Sequence, residues 1–225
     1  MRHVTGAVSA VVLLMSSLSW AAAPEPANDE QKTLYALGAA ISQSLTPFTL
    51  NESELEFVKA GLADGVLKRP QKVDLQVYGP KIQQMQQVRS NALADVEKKA
   101  GAAFLTKAAA EAGAKKTESG AIVTVIKEGK GATPKATDTV KVHYHGTLTD
   151  GTVFDSSVKR GEPATFPLNQ VIKCWTEAVQ LIKVGGKSKL VCPSGIAYGD
   201  RGSPPVIKPG ATLVFEVELL DIVKQ

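Results

Sequence analysis

Few side chains in this 225-residue chain have obvious chemical capability, and they gather in its second half. His143 and His145 sit at i and i+2, which places them on one face of a strand, as a metal pair would require. No third ligand accompanies them, and the alternation that turns Tyr144 inward turns both imidazoles outward. They read as surface residues, and no metal site is expected. Cys174 and Cys192 are the chain's two cysteines. A zinc site wants four ligands at short spacings and a catalytic thiol wants a partnered His, and neither pattern is present. In an oxidising compartment an even pair reads as a disulfide, the alternative being two buried thiols. Six aromatics, Tyr144, Phe154, Phe166, Trp175, Tyr198 and Phe215, form the third group, with the carboxylate of Asp155 beside them. Aromatics at strand periodicity commonly fill a core. A core alone would favour Leu or Val over a Tyr hydroxyl that needs a partner, so pattern leaves both a core and a ring-lined pocket open.

The elements that must position these residues fall into two regimes. Residues 30–112 carry helical spacing. Leu34, Leu37, Ile41 and Leu45 recur at three and four until Thr46-Pro47, where the residue before Pro disfavours the α region. Asn51 with Glu54 predicts a capping box for a second helix, whose stripe is Leu55, Val58, Leu62 and Val66, with Gly65 near its end. A third, longer helix is predicted to begin near Tyr78-Gly79-Pro80 and to run to Ala112. Its stripe is Ile82, Met85, Val88, Ala92, Val96, Ala100 and Phe104, and Gly101 inside it costs about 1 kcal/mol and permits a bend. Two short helices cannot bury their own faces, so pairing with a second copy is expected, the alternative being packing of this half onto the C-terminal half of the same chain. The long helix is expected to hold the two halves of the chain apart.

After residues 113–120 the period becomes two. Residues 122–126, 140–145, 187–191 and 211–223 read as strands. In the last of them Leu213, Phe215, Val217 and Leu219 point inward against Glu216 and Glu218. Residues 169–182 form the one predicted helix among them. The fold class is therefore α+β, an antiparallel sheet wrapped on one short helix and preceded by an all-α half.

At the start, Arg2 and His3 precede an apolar run that ends in Trp20-Ala21-Ala22-Ala23, the layout of a cleaved signal peptide. The run of roughly ten residues is too short for a bilayer of about 30 Å, which makes a membrane anchor the poorer reading. Cleavage near Ala21 to Ala23 removes Arg2 and takes the formal net charge from +4 to +3. That excess is interleaved with acidic residues rather than clustered, so no nucleic acid partner is expected. The expected domains are 1–23 signal peptide, 24–113 helical dimerisation domain, and 114–225 for the sheet domain. Localisation is expected to be periplasmic or secreted, with outer-membrane association left open.

Five ordered blocks carry a resemblance: Val142-His143-Tyr144-His145-Gly146-Thr147-Leu148, Gly151-Thr152-Val153-Phe154-Asp155-Ser156-Ser157, Val171-Ile172-Lys173-Cys174-Trp175, Ala197-Tyr198-Gly199, and Ala211-Thr212-Leu213-Val214-Phe215-Glu216-Val217-Glu218-Leu219-Leu220. Over residues 117–224 the chain resembles the FKBP-type peptidyl-prolyl isomerase domain. The leader and helical half resemble the macrophage-infectivity-potentiator branch of that family, whose members are secreted V-shaped dimers. The resemblance implies catalysis of X–Pro rotation in unfolded or folding exported proteins, with chaperone activity, a homodimer through the N-terminal helices, rapamycin-type macrolides as inhibitors and no cofactor. The alternative it carries is a holdase or surface virulence factor whose isomerase activity is incidental. It assigns Tyr144, Phe154, Asp155, Trp175, Tyr198 and Phe215 as catalytic, with Phe166, Val171, Ile172, Val206 and Ile207 binding substrate. Trp175 would be the floor, and the Ile172 N–H and Tyr198 hydroxyl would meet substrate carbonyls. Two positions depart from the family pattern, Ser203 where a His is common and Ala164 where an aromatic is expected, which puts substrate preference and macrolide affinity in question. Cys174 replaces a residue that is often Gly, which fits a clip to Cys192. The X–Pro barrier of about 18–20 kcal/mol is set by amide resonance. Rotation breaks no bond, so a dry ring-lined pocket that disfavours the planar amide suffices.

Overall fold

The computed structural model describes residues 25–223, so the expected signal peptide lies outside the described residues. The first helix, α1 (Asp29–Leu45), opens on Asn28, whose side chain accepts from the Gln31 N–H while the Gln31 side chain accepts from the Ala27 N–H. It ends before Thr46-Pro47, as expected, in a short 3-10 turn. The predicted capping box opens α2 (Glu52–Val66): Asn51 Oδ1 accepts from the Glu54 N–H and Glu54 Oε2 accepts from the Asn51 N–H, each at 3.0 Å.

The long helix, α3 (Leu75–Ala109), starts earlier than expected because Asp74 caps it, accepting from the Gln76 N–H at 2.8 Å. Pro80 consequently falls in the second turn, where its missing N–H removes one intrahelical bond. Arg89 on this helix donates to the Phe48 carbonyl at 2.7 Å and pairs with Glu54, fastening α3 to the start of α2. At 1.5 Å per residue its 35 residues span about 50 Å.

The packing of α3 departs from expectation. The predicted stripe is largely exposed, Val88 at 61% and Val96 at 65%, whereas Ala94, Gly101 and Ala108 are buried. These three are seven residues apart, two turns each, and so share a face. They lie against the C-terminal half. Gly210 approaches the Ala94 backbone, Gly101 faces the Thr212 side chain, and Ala108 packs with Ile122 and Val191. Lys98 pairs with Asp200 at 2.6 Å and Lys208 with Glu97 at 3.2 Å along the same seam. The long helix therefore does not stand off from the C-terminal half; its second half lines it.

Seven strands form one antiparallel sheet: β1 (Ala114–Lys116), β2 (Ile122–Lys127), β3 (Thr139–Leu148), β4 (Val153–Ser156), β5 (Ala164–Pro167), β6 (Lys187–Cys192) and β7 (Leu213–Val223). Their order is β1-β2-β6-β7-β3-β4, and β5 pairs with β3 beside β4. β3 is the organising strand: β7 runs along one edge, while β5 takes Thr139 to Val142 and β4 takes His145 to Thr147 on the other. β7 buries Leu213, Phe215, Val217 and Leu219, as its alternation requires. A one-turn helix, α4 (Ser157–Arg160), follows β4 directly.

The predicted helix over 169–182 is shorter than expected. Only α5 (Lys173–Ala178) is α-helical, flanked by 3-10 turns at Leu168–Gln170 and Val179–Leu181. Val171 and Ile172 are extended, as β-branched residues favour. α5 sets Cys174, Trp175 and Ala178 into the core against Val142, Tyr144, Leu190 and Phe215. Cys174 and Cys192 are disulfide-bonded with Cα atoms 5.7 Å apart, tying the first turn of α5 to the end of β6. Among the described residues no helix is long and apolar enough to cross a membrane.

Candidate functional site

β3 contributes Tyr144, β4 Phe154 and Asp155, β5 Phe166, α5 Trp175 and β7 Phe215 to one cleft of about 390 Å³. Val171 and Ile172, just before α5, and Tyr198, in the loop after β6, complete it. Nine of the eleven expected binding and catalytic residues thus meet in one opening. Ile207 is instead buried in the core, its N–H and C=O paired with Ser203, and Val206 is exposed; neither lines the cleft. Gln170, which the sequence did not single out, does. Ala164, at the position where an aromatic was expected, packs on the core as a small side chain.

The rings hold each other edge to face. Trp175 is the hub, 5.3 Å from Tyr144, 5.8 Å from Phe166 and 5.3 Å from Phe215, with interplanar angles of 81° to 90°. Phe154 meets Phe215 at 5.4 Å and Tyr144 meets Phe166 at 5.9 Å. Such contacts are each worth about 0.5–1.5 kcal/mol beyond area burial, and they fix ring orientation. Trp175 is 4% exposed, and its buried Nε1 donor has no partner among the described residues. Gly146 on β3 makes the back of the cleft possible, because a Cβ there would collide with the Phe154 ring and crowd the Phe215 ring.

A polar triad closes one side. The Tyr144 hydroxyl donates to Asp155 Oδ2, Arg160 Nη1 donates to Asp155 Oδ1, and Arg160 Nη2 donates to the Tyr144 oxygen at 3.0 Å. Burial, helped by the Asp155 hydrogen bond, pushes the Tyr144 hydroxyl above its ordinary value. Burial also works to raise the Asp155 carboxyl, but the Tyr144 hydroxyl and the Arg160 guanidinium outweigh it and hold the acid below its usual range. Asp155 is thus an ionised acceptor at neutral pH and Tyr144 a neutral donor. Arg160 was missed by sequence reasoning. Its signal was its position five residues after Asp155, which the one-turn helix α4 converts into contact.

Tyr198 is 41% exposed at the mouth, and the Ile172 N–H finds no acceptor among the described residues. Both are therefore available to carbonyl groups of a bound chain. His143 and His145 face away from the rings, with their Nδ1 atoms 3.2 and 2.9 Å from the Ser157 and Ser156 hydroxyls. Among the described residues no group of three His, Cys, Asp or Glu side chains is placed to hold a metal ion. A larger cavity of about 520 Å³ contains no aromatic ring, so the smaller, ring-lined cleft is the candidate site.

A cleft of interlocked rings with one ionised acceptor at its side suits non-covalent binding of an apolar ring. Comparison with known proteins agrees. Residues 130–220 match the family model described as FKBP-type peptidyl-prolyl cis-trans isomerase, and residues 30–124 match the domain amino terminal to it. The chain is 45% identical over 207 residues to the FKBP-type peptidyl-prolyl cis-trans isomerase FkpA of Aeromonas hydrophila, covering 87% of this chain and 77% of that one. It is 43% identical over 197 residues to the FKBP-type 22 kDa peptidyl-prolyl cis-trans isomerase of Escherichia coli K12, covering 86% and 95%. The crystal structure of FkpA from Escherichia coli superposes with a TM-score of 0.65 at 39% identity, over 87% of this chain and 97% of that one. The chain belongs to the FKBP-type peptidyl-prolyl cis-trans isomerase family, and its activity is the cis–trans rotation of X–Pro bonds.

Proposed function

We propose that the ring-lined cleft receives the proline of the substrate, with Trp175 beneath the ring and Tyr144, Phe154, Phe166 and Phe215 as its walls. The Tyr198 hydroxyl and the Ile172 N–H hold carbonyls on either side, and Asp155, aligned by Arg160, orients the Tyr144 hydroxyl. The observation that carries this reading is the edge-to-face hub on Trp175, which fixes the orientation of the walls of an apolar slot. In such a slot the polar planar amide is less well solvated than the twisted one, in which charge on oxygen is reduced, so the barrier falls. Fixing the proline ring while the acyl side turns adds an orientational contribution.

The substrates are proline-containing segments of exported proteins as they fold, and holding such chains gives the enzyme a chaperone role alongside catalysis. The expected leader supports export to the periplasm. The three segments 1–23, 24–113 and 114–225 act as export signal, dimerisation domain and isomerase domain. Dimerisation is supported by exposure: α1 and α2 bury no residue, and Phe57 is 81% exposed. Sixteen of the 23 large hydrophobics exposed among the described residues precede residue 97, far more apolar surface than a lone helical half would leave open. A rapamycin-type macrolide competes for the ring-lined slot, weakened by the absence of an aromatic at Ala164 and of a His at Ser203.

A protease-coupled assay on a short proline peptide tests the site. Wild-type protein accelerates the uncatalysed step, which takes tens to hundreds of seconds, while Tyr198→Phe and Asp155→Leu lower kcat/KM with the fold retained. Wild-type protein that suppresses aggregation yet leaves the peptide rate at its buffer value defeats the proposal.

A further inference from the structure

The 520 Å³ cavity lies between α3 and the loop that follows Tyr198. Its helical wall is a row of amide and hydroxyl side chains, Gln83, Gln86, Gln87 and Ser90, at i, i+3, i+4 and i+7 and so on one face of α3. Each Gln offers both donors and an acceptor, the complement of a polypeptide main chain whatever its side chains. Gln87 already donates to Asn91 at 2.7 Å, which leaves its oxygen free to accept. The facing wall is Pro204, Pro205 and Pro209, with Pro47 at the edge. Prolines have no N–H to compete for the main chain of a guest and offer it apolar ring surface.

The loop between β6 and β7 borders both openings, with Tyr198 on the ring-lined cleft and Asp200, Arg201 and Pro204 on this cavity. The substrate is a polymer, so chain flanking its proline extends beyond the cleft, and at about 3.3–3.6 Å per residue a few residues suffice to cross the loop to this cavity. Charge narrows the guest further. Asp200 is paired with Lys98 and Lys208 with Glu97, while Arg201 has no carboxylate partner among the described residues.

Resting on the isomerase reading of the cleft, we propose that this cavity is a second substrate subsite, which binds the extended main chain flanking the proline and favours an acidic residue at Arg201. It lets the enzyme grip long unfolded chains more firmly than short peptides, with the acidic preference at Arg201 as its one side-chain requirement.

The test compares a four-residue proline peptide with a twenty-residue unstructured peptide carrying the same proline and flanking Glu residues. Gln83→Ala and Gln87→Ala, combined, are exposed helix substitutions that raise helix propensity, so the fold survives. The double variant raises KM for the long peptide about tenfold, as loss of two main-chain hydrogen bonds predicts, with kcat and the short-peptide rate unchanged. Arg201→Glu reverses the preference between Glu- and Lys-flanked long peptides. Binding of a proline-free Glu-containing twenty-residue peptide, read by fluorescence polarisation, weakens in the double variant and is unchanged in Tyr198→Phe, so the subsite is judged even where catalysis fails. Equal losses on short and long peptides, or no loss on either, overturn the proposal. So does a shift in sedimentation of the double variant, which assigns the cavity to contact between copies.

Discussion

Gly101→Ala probes the seam between α3 and the isomerase domain. In an exposed helix interior, Gly to Ala stabilises by about 1 kcal/mol. Here the new Cβ would collide with Thr212 Oγ1 and come within 3.0 Å of Thr212 Cβ, and Thr212 is buried. Rotating the hydroxyl away leaves Cβ crowded, so backbone must move, at an overpacking cost of about 1–3 kcal/mol. The two effects oppose, and the net ranges from neutral to about 2 kcal/mol destabilising. In a chain of this size that lowers Tm by up to about 8 °C. Gly61→Ala is the internal control, because a Cβ on Gly61 in α2 meets nothing within 4 Å; it gains the full helix benefit of about 1 kcal/mol. Thr212→Gly removes both the clashing oxygen and the crowding Cβ, and in that background Gly101→Ala turns favourable, giving a coupling of about 1–3 kcal/mol in a double-mutant cycle. Urea denaturation followed by tryptophan emission reads all four variants, since Trp175 is the one tryptophan beyond residue 23. If Gly101→Ala and Gly61→Ala stabilise alike, α3 does not lie on the domain as described.

The Asp155 carboxyl is held below its usual range in the folded protein, so its contribution to stability is present above the unfolded carboxylate pKa of about 3.9 and is lost as pH falls through the lower folded value. The stability gap between wild type and Asp155→Asn, measured by urea titration, accordingly narrows from pH 7 to pH 3; a gap that widens with acid contradicts the assignment. Reducing or removing the Cys174–Cys192 bond, whose ends are 18 positions apart in the chain, lowers stability by about 3 kcal/mol on chain-entropy grounds, read as a fall in the urea midpoint. A chain beginning at residue 75 keeps α3 whole and sediments as a monomer; one that stays dimeric removes α1 and α2 as the seam. A chain beginning at residue 114 also uncovers Ile122, Val191 and Thr212, and it melts lower than the chain beginning at 75.

What the sequence could and could not reveal divides along physical lines. The alternation in β7 and the capping box at Asn51 were legible because each is a local rule with a local signature. β1, β4 and β5 were not, being three or four residues long and too short to show an alternation of their own. The face of α3 was misread for a different reason. A search for apolar stripes finds Ile82, Val88 and Val96, yet the buried face is Ala94, Gly101 and Ala108, small residues chosen for close approach rather than hydrophobicity. Gly101 likewise suggested a bend, and its role is to admit Thr212. In the cleft, five aligned motifs brought eight residues together and Phe166 joined them from between two motifs, while Arg160 lay outside every motif that drew attention and entered through the turn of α4.

An enzyme that makes and breaks no bond has little besides preorganisation to work with, and this explains where its supporting residues lie. Gly146 never needs to touch substrate; it leaves space for Phe154 and Phe215 to meet edge to face. Arg160 fixes Asp155 and Tyr144 in one orientation, so the hydroxyl does not wander between partners. The disulfide at Cys174 adjoins Trp175 in the chain and anchors the turn that carries the hub of all three central ring contacts. Each of these removes a freedom the rings would otherwise lose on binding, and ordering one mobile side chain costs about 0.5–1.5 kcal/mol. Binding energy not used to order the walls remains available to hold the proline while its amide turns.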